Sequence, residues 1–506
     1  MRKLVILLAF ALLISCAKET SNDFSTPKKV IIAGKVENID PNNLEVKFYV
    51  NRLGLNQSAI FTKADSSGNF QTSFETYTPT DVWVQYKTNI LVLVRPGDSI
   101  HVEFDGQPNR RPQILETIKF SGDGIKANQD AAKFQLMYFS NPLYYDWDAK
   151  GYAKKTYDVD QYLLYLDTLQ QRIDELYSRF LAETAPDHNV KIWAKTYIEQ
   201  DYYDAISWYP LEHLRSNNLR SGEWEVPETF FDALLTRLPI EKNMLVSGYA
   251  LSNFINRFHY NYSRSRIWEE EQNKQYKTPE GYIVGPTEIM DSLTVYGIIK
   301  YTPDSLLRQM VLTEFFVQNL DNSGIRLYEK YKNIADEYIL EPFLREPLFE
   351  LYAEVKNRIE NPVIATDAYL KKLENTTARQ LFDSILTVNK GKVIYLDCWA
   401  TWCGPCKEEM PHSKKLMEEL KDEDVSFVFL CIDSEENLWK ANLAEFQIGG
   451  QHYFLSREQS ADLRKVFEVQ GIPHYFLINQ RGVIVEKGSY LRPNHVKDKL
   501  LGLLEG

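Results

Sequence analysis

The sequence predicts a multidomain chain: an N-terminal β-sandwich, an α-helical middle domain and a C-terminal α/β domain. Three observations carry this reading. Short alternating apolar and polar runs fill residues 30–120. Between 125 and 365 apolar residues recur at spacings of three and four instead. Beyond 367, the apolar run Val393 to Leu396 leads through two closely spaced cysteines into a helix-like stretch.

The N-terminus is expected to carry an address. Arg2 and Lys3 form a charged region, and Leu4 to Ile14 is an apolar run too short for a stable membrane anchor. Leu13-Ile14-Ser15-Cys16 resembles a bacterial lipobox, which makes residues 1–15 a signal peptide and 16–29 a polar tether lipidated at Cys16. The plainer alternative is an apolar N-terminus with a chance cysteine. Ala17 in place of aspartate allows onward transport to the outer membrane, by analogy with Gram-negative lipoproteins. Lys18-Glu19 partly matches a surface-export signal, which would place the chain outside the cell. No later apolar run is long enough for a transmembrane helix.

Residues 30–120 read as strands. Val30 to Val36, Leu44 to Tyr49 and Val82 to Tyr86 alternate, and Asp65-Ser66-Ser67-Gly68-Asn69 is a turn signal. Ile90 to Val94 is almost continuously apolar, and Arg95-Pro96-Gly97-Asp98-Ser99 turns into Ile100 to Phe104. Short strands at this spacing predict a sandwich. No catalytic constellation is visible among them.

Residues 125–365 read as helices. Tyr162, Leu166, Leu169, Ile173, Leu176 and Phe180 fall on one helical face. Thr302-Pro303-Asp304 starts a helix that Asp321-Asn322-Ser323-Gly324 ends. Thr278-Pro279-Glu280-Gly281 and Val284-Gly285-Pro286 mark a loop. Trp193, Tyr197, Tyr202, Tyr203, Trp208 and Tyr209 predict an aromatic bundle core, with a partner-binding surface as the alternative. Glu269-Glu270-Glu271 reads as a solvated face.

Trp402-Cys403-Gly404-Pro405-Cys406-Lys407 carries the chemistry. Two thiols at a helix start suit thiol–disulfide exchange, because unpaired N–H groups and the helix dipole favour a thiolate there. Cys403 is the expected nucleophile, and Cys406, one turn further in, the resolving thiol. Zinc would need two more ligands, and His412 is the sole nearby candidate, so no metal and no cofactor is expected. A net charge of −12 argues against nucleic-acid binding. Cys398 and Cys431 lie in apolar runs and read as buried, inert thiols, with a structural disulfide between them as the alternative.

The segment Asp397 to Cys406 resembles the thioredoxin active-site stretch. Glu409 and Pro411 follow it as in TlpA-like envelope proteins, and Gly471-Ile472-Pro473 before Tyr475 to Ile478 matches the family's cis-proline loop and next strand. Asn479-Gln480-Arg481-Gly482 then turns into Val483 to Val485. The resemblance covers residues 367–506 and implies a thioredoxin fold there. Residues 30–120 also look like the β domain that precedes thioredoxin domains in Bacteroidetes lipoproteins.

For the site, the resemblance implies a buried Asp397 that exchanges protons with Cys406, the competing reading being a solvent-facing carboxylate. Glu409 either sits near the thiols or serves only the helix dipole. Pro473 shapes a loop whose Ile472 backbone pairs with substrate, and Trp402 offers an apolar docking face. His474 reads as a bystander, and Trp399 as packing under the turn. For function, the resemblance implies a periplasm-facing disulfide reductase supplied by a membrane thiol donor. Its clients would be envelope proteins with disulfides, apocytochrome c among them. A disulfide oxidase or isomerase, and a partner- or glycan-binding lipoprotein with secondary redox activity, are the competing readings.

Overall fold

The computed structural model describes residues 24–55, 57–278 and 283–505. The expected lipobox at Leu13 to Cys16, the expected tether up to Asp23, and Pro279 to Gly281 lie outside them.

The first strands are β1 (Lys28–Glu37), β2 (Glu45–Val50), β3 (Ser58–Lys63), β4 (Asn69–Thr76), β5 (Thr80–Gln85), β6 (Asn89–Val94), β7 (Ser99–Asp105) and β8 (Lys119–Gly122). They form two four-stranded sheets, ordered β4-β1-β7-β8 and β3-β2-β5-β6. In β1, β4 and β7 burial alternates residue by residue, as a period of two requires for a sheet with one covered face. A short helix that the alternation does not announce, Arg111–Thr117, interrupts the strands before β8.

β5 and β6 are buried on both faces, because helices cover them. β6 is a sheet edge, and an uncovered edge presents unpaired backbone groups. Helix Ile125–Phe139 closes it with two side-chain amides, two turns apart on one face. Gln135 accepts from Leu91 N at 2.8 Å and donates to Leu91 O at 2.9 Å. Asn128 does the same to Leu93, at 2.8 and 2.9 Å. One apolar core therefore runs from both sheets into helices Ile125–Phe139, Val159–Thr184 and His188–Ser216.

A second core surrounds helices Gly248–Arg257 and Ser305–Ser323. Asp304 caps the latter by accepting from Leu307 N at 2.7 Å. The middle is not purely α-helical: Phe230–Arg237 and Lys242–Val246 are 3-10 segments, and Phe258–Ser263 is a π segment. Trp193, Tyr197, Tyr203 and Tyr209 are buried as expected, whereas Trp208 is exposed. The Glu269–Glu271 run is not simply solvated. Its members pair with Arg266 at 2.9 Å, Lys300 at 2.8 Å and Lys274 at 2.7 Å.

The C-terminal sheet has six strands: β9 (Ala368–Lys371), β10 (Val393–Trp399), β11 (Val425–Cys431), β12 (Gly450–Phe454), β13 (His474–Ile478) and β14 (Ile484–Gly488), in the order β14-β13-β10-β11-β12-β9. β10 is central, parallel to β11 and antiparallel to β13. Its seven residues are all buried, as expected of a strand covered on both faces.

This domain packs against the helical middle. Helix Pro342–Glu360 lies on helix Glu436–Phe446, with Arg358 paired to Glu445 at 3.0 Å. Gly324 ends its helix at φ +73°, and a Cβ there would come within 2.6 Å of Leu438 Cδ2, so glycine permits both the turn and the approach. Among the described residues no helix is long and apolar enough to cross a membrane.

Candidate active site

β10 divides its side chains between two cores. Val393, Tyr395 and Trp399 face the cluster that contains both cysteines, while Ile394, Leu396 and Cys398 face the other. Asp397 shares the first face by the same alternation. The strand then breaks at Ala400, the chain turns, and helix Gly404–Glu419 begins.

Cys403 and Cys406 are joined as a disulfide, with Cα atoms 5.2 Å apart. Cys403 is the residue that caps the helix, and its Sγ accepts from Cys406 N at 3.2 Å. Its carbonyl accepts from Lys407 N at 3.1 Å. The nucleophile expected from the sequence thus sits where free helical N–H groups converge. Both cysteines are buried residues, Cys403 at 4% and Cys406 at 1% exposure.

The turn is held from the β11 side. Ser434 Oγ accepts from Thr401 N at 3.0 Å, and Asp433 O accepts from Trp402 Nε1 at 2.7 Å. This bond fixes the Trp402 ring while leaving 46% of the residue exposed beside the thiols. Lys407 Nζ reaches across the domain boundary to Asp321 O at 3.0 Å. Trp399 is fully buried under the turn.

Ile472–Pro473 is a cis bond, as the loop resemblance implies. Pro473 directly precedes β13, where His474 stands opposite Cys398, so the loop lies at the end of β10 from which the thiol turn springs. Ile472 packs against the cluster that holds both cysteines. His474 is half-buried, and desolvation lowers its pKa.

Asp397 is buried, and neither carboxyl oxygen has a hydrogen-bond partner among the described residues. Burial first, and the charge of Glu409 second, push its pKa well above the carboxylate range. The solvent-facing alternative for this residue does not hold. Glu409, three residues past Cys406, shares that residue's helical face. It is buried rather than merely attending the helix dipole, and its Oε1 accepts from Arg492 Nη1. Two tyrosines complete the cluster: Tyr395 and Tyr475 stack with centroids 5.5 Å apart.

Sequence reasoning missed Arg492, Tyr395, Tyr475 and Lys407. Arg492 stands before the Pro493 that opens the last helix, and no local spacing ties it to Glu409, 83 residues away. Cys398 and Cys431 are free and buried, on opposite faces of the sheet. Burial raises both thiols, Cys431 to about 12. Among the described residues no group of side chains could hold a metal ion.

The sequence pattern of the Redoxin family matches residues 372–499. The chain is 28% identical over 116 residues to a thiol-disulfide oxidoreductase ResA of Bacillus cereus, covering 23% of this chain and 64% of that protein. It is 25% identical over 164 residues to a ResA of Bacillus thuringiensis, covering 32% and 78%. It thus spans just under two thirds of the first relative's length. A solved thioredoxin domain of a Bacteroides vulgatus thiol-disulfide oxidoreductase is 25% identical, covers 24% of this chain and 84% of that one, and has a TM-score of 0.22. Residues 372–499 carry the Redoxin pattern around a cysteine pair at disulfide distance, and this C-terminal part of the chain is similar to thiol-disulfide oxidoreductases.

Proposed function

We propose that this protein is a cell-envelope thiol–disulfide oxidoreductase that reduces protein disulfides through Cys403 and Cys406. One observation carries the reading: a bonded cysteine pair at a helix start, on the face of a buried aspartate with no hydrogen-bond partner among the described residues.

In the reduced protein the Cys403 thiolate attacks one sulfur of a client disulfide. A Cys403–client S–S bond forms, the client's own S–S bond breaks, and its other sulfur leaves as a thiolate. Cys406 passes its proton to the Asp397 carboxylate and attacks Cys403 Sγ. The internal disulfide forms, and the second client thiolate leaves. The client gains two electrons from the thiol pair, and the Cys406 proton rests on Asp397. The raised pKa of Asp397 retains that proton in the oxidised protein. A dithiol donor at the membrane returns the pair to its reduced form, and the proton goes back to Cys406.

Trp402, exposed beside the pair, and the Ile472 backbone serve as the client's docking edge. The Gly404-Pro405 dipeptide favours the reducing direction, as it does in thioredoxin-like reductants. Lipidation at Cys16 anchors the chain on the periplasmic face of the outer membrane.

Trapping tests the chemistry. Cys406→Ser accumulates mixed disulfides with a protein substrate and Cys403→Ser does not; the reverse pattern overturns the assignment. Direction is read from the pair's reduction potential. A value near thioredoxin's, about −270 mV, supports a reductase, and one near the strong oxidants' about −120 mV makes it an oxidase. Detergent fractionation of Cys16→Ala against wild type tests the anchor; equal solubility removes it.

A further inference from the structure

We infer that Arg492 decides which of two buried acids carries the proton at this site, holding Glu409 as the carboxylate and leaving Asp397 as the acid. The inference deepens the exchange reading above and rests on it.

The geometry separates two acids of one cluster. Glu409 has a cationic partner, Arg492, and its other oxygen is buried without a partner among the described residues. Among the described residues, Asp397 has no hydrogen-bond partner on either oxygen. A guanidinium stays charged under any condition a protein survives, so the acid it binds is the one that ionises. Two neighbouring carboxylates in a shared low-dielectric site oppose each other's ionisation. Once Arg492 has selected Glu409, its negative charge keeps the proton on Asp397.

Arg492 is placed for this by β10 itself. Tyr395, two residues before Asp397 on the same strand face, donates its hydroxyl proton to Leu491 O at 2.7 Å. Leu491 is the residue immediately before Arg492, so the strand carrying one acid pins the turn that neutralises the other. The hydroxyl of Tyr475, stacked on Tyr395, has no hydrogen-bond partner among the described residues. The groups facing the pair are Tyr395 from β10, Tyr475 from β13, and Glu408 near Arg492 on the thiol helix. Both tyrosines are pushed far up by burial and stay neutral, so neither competes for the charge.

The consequence is directional. The proton released by Cys406 has one destination, the acid without a cation. Glu409, one turn along the same helix face, acts as a fixed charge. Arg492 is therefore a positioning residue that acts through Glu409.

The test is the oxidised-minus-reduced infrared difference spectrum of the full chain at neutral pH, in which redox-insensitive buried acids cancel. Wild type is expected to show a protonated-carboxyl band that Asp397→Asn removes and Glu409→Gln retains. In the double variant Asp397→Asn, Arg492→Gln a band returns, now from Glu409, and the same double variant with Arg492→Lys keeps it absent. The pH midpoint of exchange in Arg492→Gln should move down by about one unit, because Asp397 loses the charge that holds its proton. Absence of a band in the Arg492→Gln double variant, or an unchanged midpoint in Arg492→Gln, overturns the inference. Failure of the wild type to reduce any protein disulfide would instead remove the functional reading; the infrared assignment does not depend on client turnover.

Discussion

The two ends of the molecule each bury an aspartate, and they treat it in opposite ways. Asp81, on β5, accepts from Trp193 Nε1 at 2.9 Å, from Tyr249 N at 2.8 Å and from Asn51 Nδ2 at 3.3 Å. It thereby ties the second front sheet to helices His188–Ser216 and Gly248–Arg257. The approach is close enough that a Cβ on Gly248 would lie 2.2 Å from Thr80 Oγ1. Asp397, on β10, accepts from no donor among the described residues. Burial raises both pKa values, but donors restrain Asp81 to about 6, while Glu409 drives Asp397 further up. Burial alone therefore does not mark a chemical acid. A buried acid with its donors supplied holds a structure together, and one deprived of them is poised to trade a proton.

The largest expected effect is on chemistry at the unpartnered acid. Asp397→Asn should slow protein-disulfide exchange by about 10²–10⁴-fold, the range for losing a proton-transfer group. Its resistance to denaturant should be equal to or above wild type, since a buried carboxyl without a partner is gone. A variant that exchanges at the wild-type rate would erase the contrast with Asp81. The mirror experiment is Asp81→Ala, which orphans the Trp193 and Tyr249 N–H groups. It should lose about 2–4 kcal/mol of stability in denaturant titrations, with exchange by the folded protein unchanged.

pH sharpens the comparison. The folded pKa of Asp81, about 6, lies above its unfolded 3.8, so the native state holds the extra proton within that window. Its contribution is fully present below the unfolded value and is lost as pH rises through about 6, an effect of about 3 kcal/mol at most. Asp81→Asn should flatten this part of the stability profile relative to wild type. An identical slope in both would mean that Asp81 does not titrate there. The smallest effect is expected of Trp193→Phe, which removes one of the donors to Asp81 and should cost about 1–2 kcal/mol.

The legible features were local ones. The alternation of Val30 to Val36 and the three-and-four spacing of Tyr162 to Phe180 record which side of an element is covered. Both recur in the structure, because side-chain direction follows from backbone geometry alone. The cysteine pair was readable for the same reason: residues three apart at a helix start must face one another's turn. Missed features lacked any such record. The closure of β6 by Asn128 and Gln135 looks from the sequence like two polar residues on a helix. In the Glu triplet, Arg266 and Lys274 pair with glutamates three residues away, but nothing local records that Glu270 meets Lys300 from a separate helix. Asp81 drew no attention, since the Trp193 that binds it lies 112 residues away.

By itself the sequence determined the broad order of strand and helix regions, and the thiol pair with its place at the start of a helix. Each follows from backbone periods and from the chemistry of adjacent residues. Tertiary structure alone decided the company those residues keep. It brought Arg492 to Glu409, left Asp397 without a donor among the described residues, gave Asp81 the donors of Trp193, Tyr249 and Asn51, and set the helical middle against the thiol helix through Lys407. Contacts of that kind arise when separate elements pack, and packing satisfies or starves a polar group according to what arrives from distant parts of the chain.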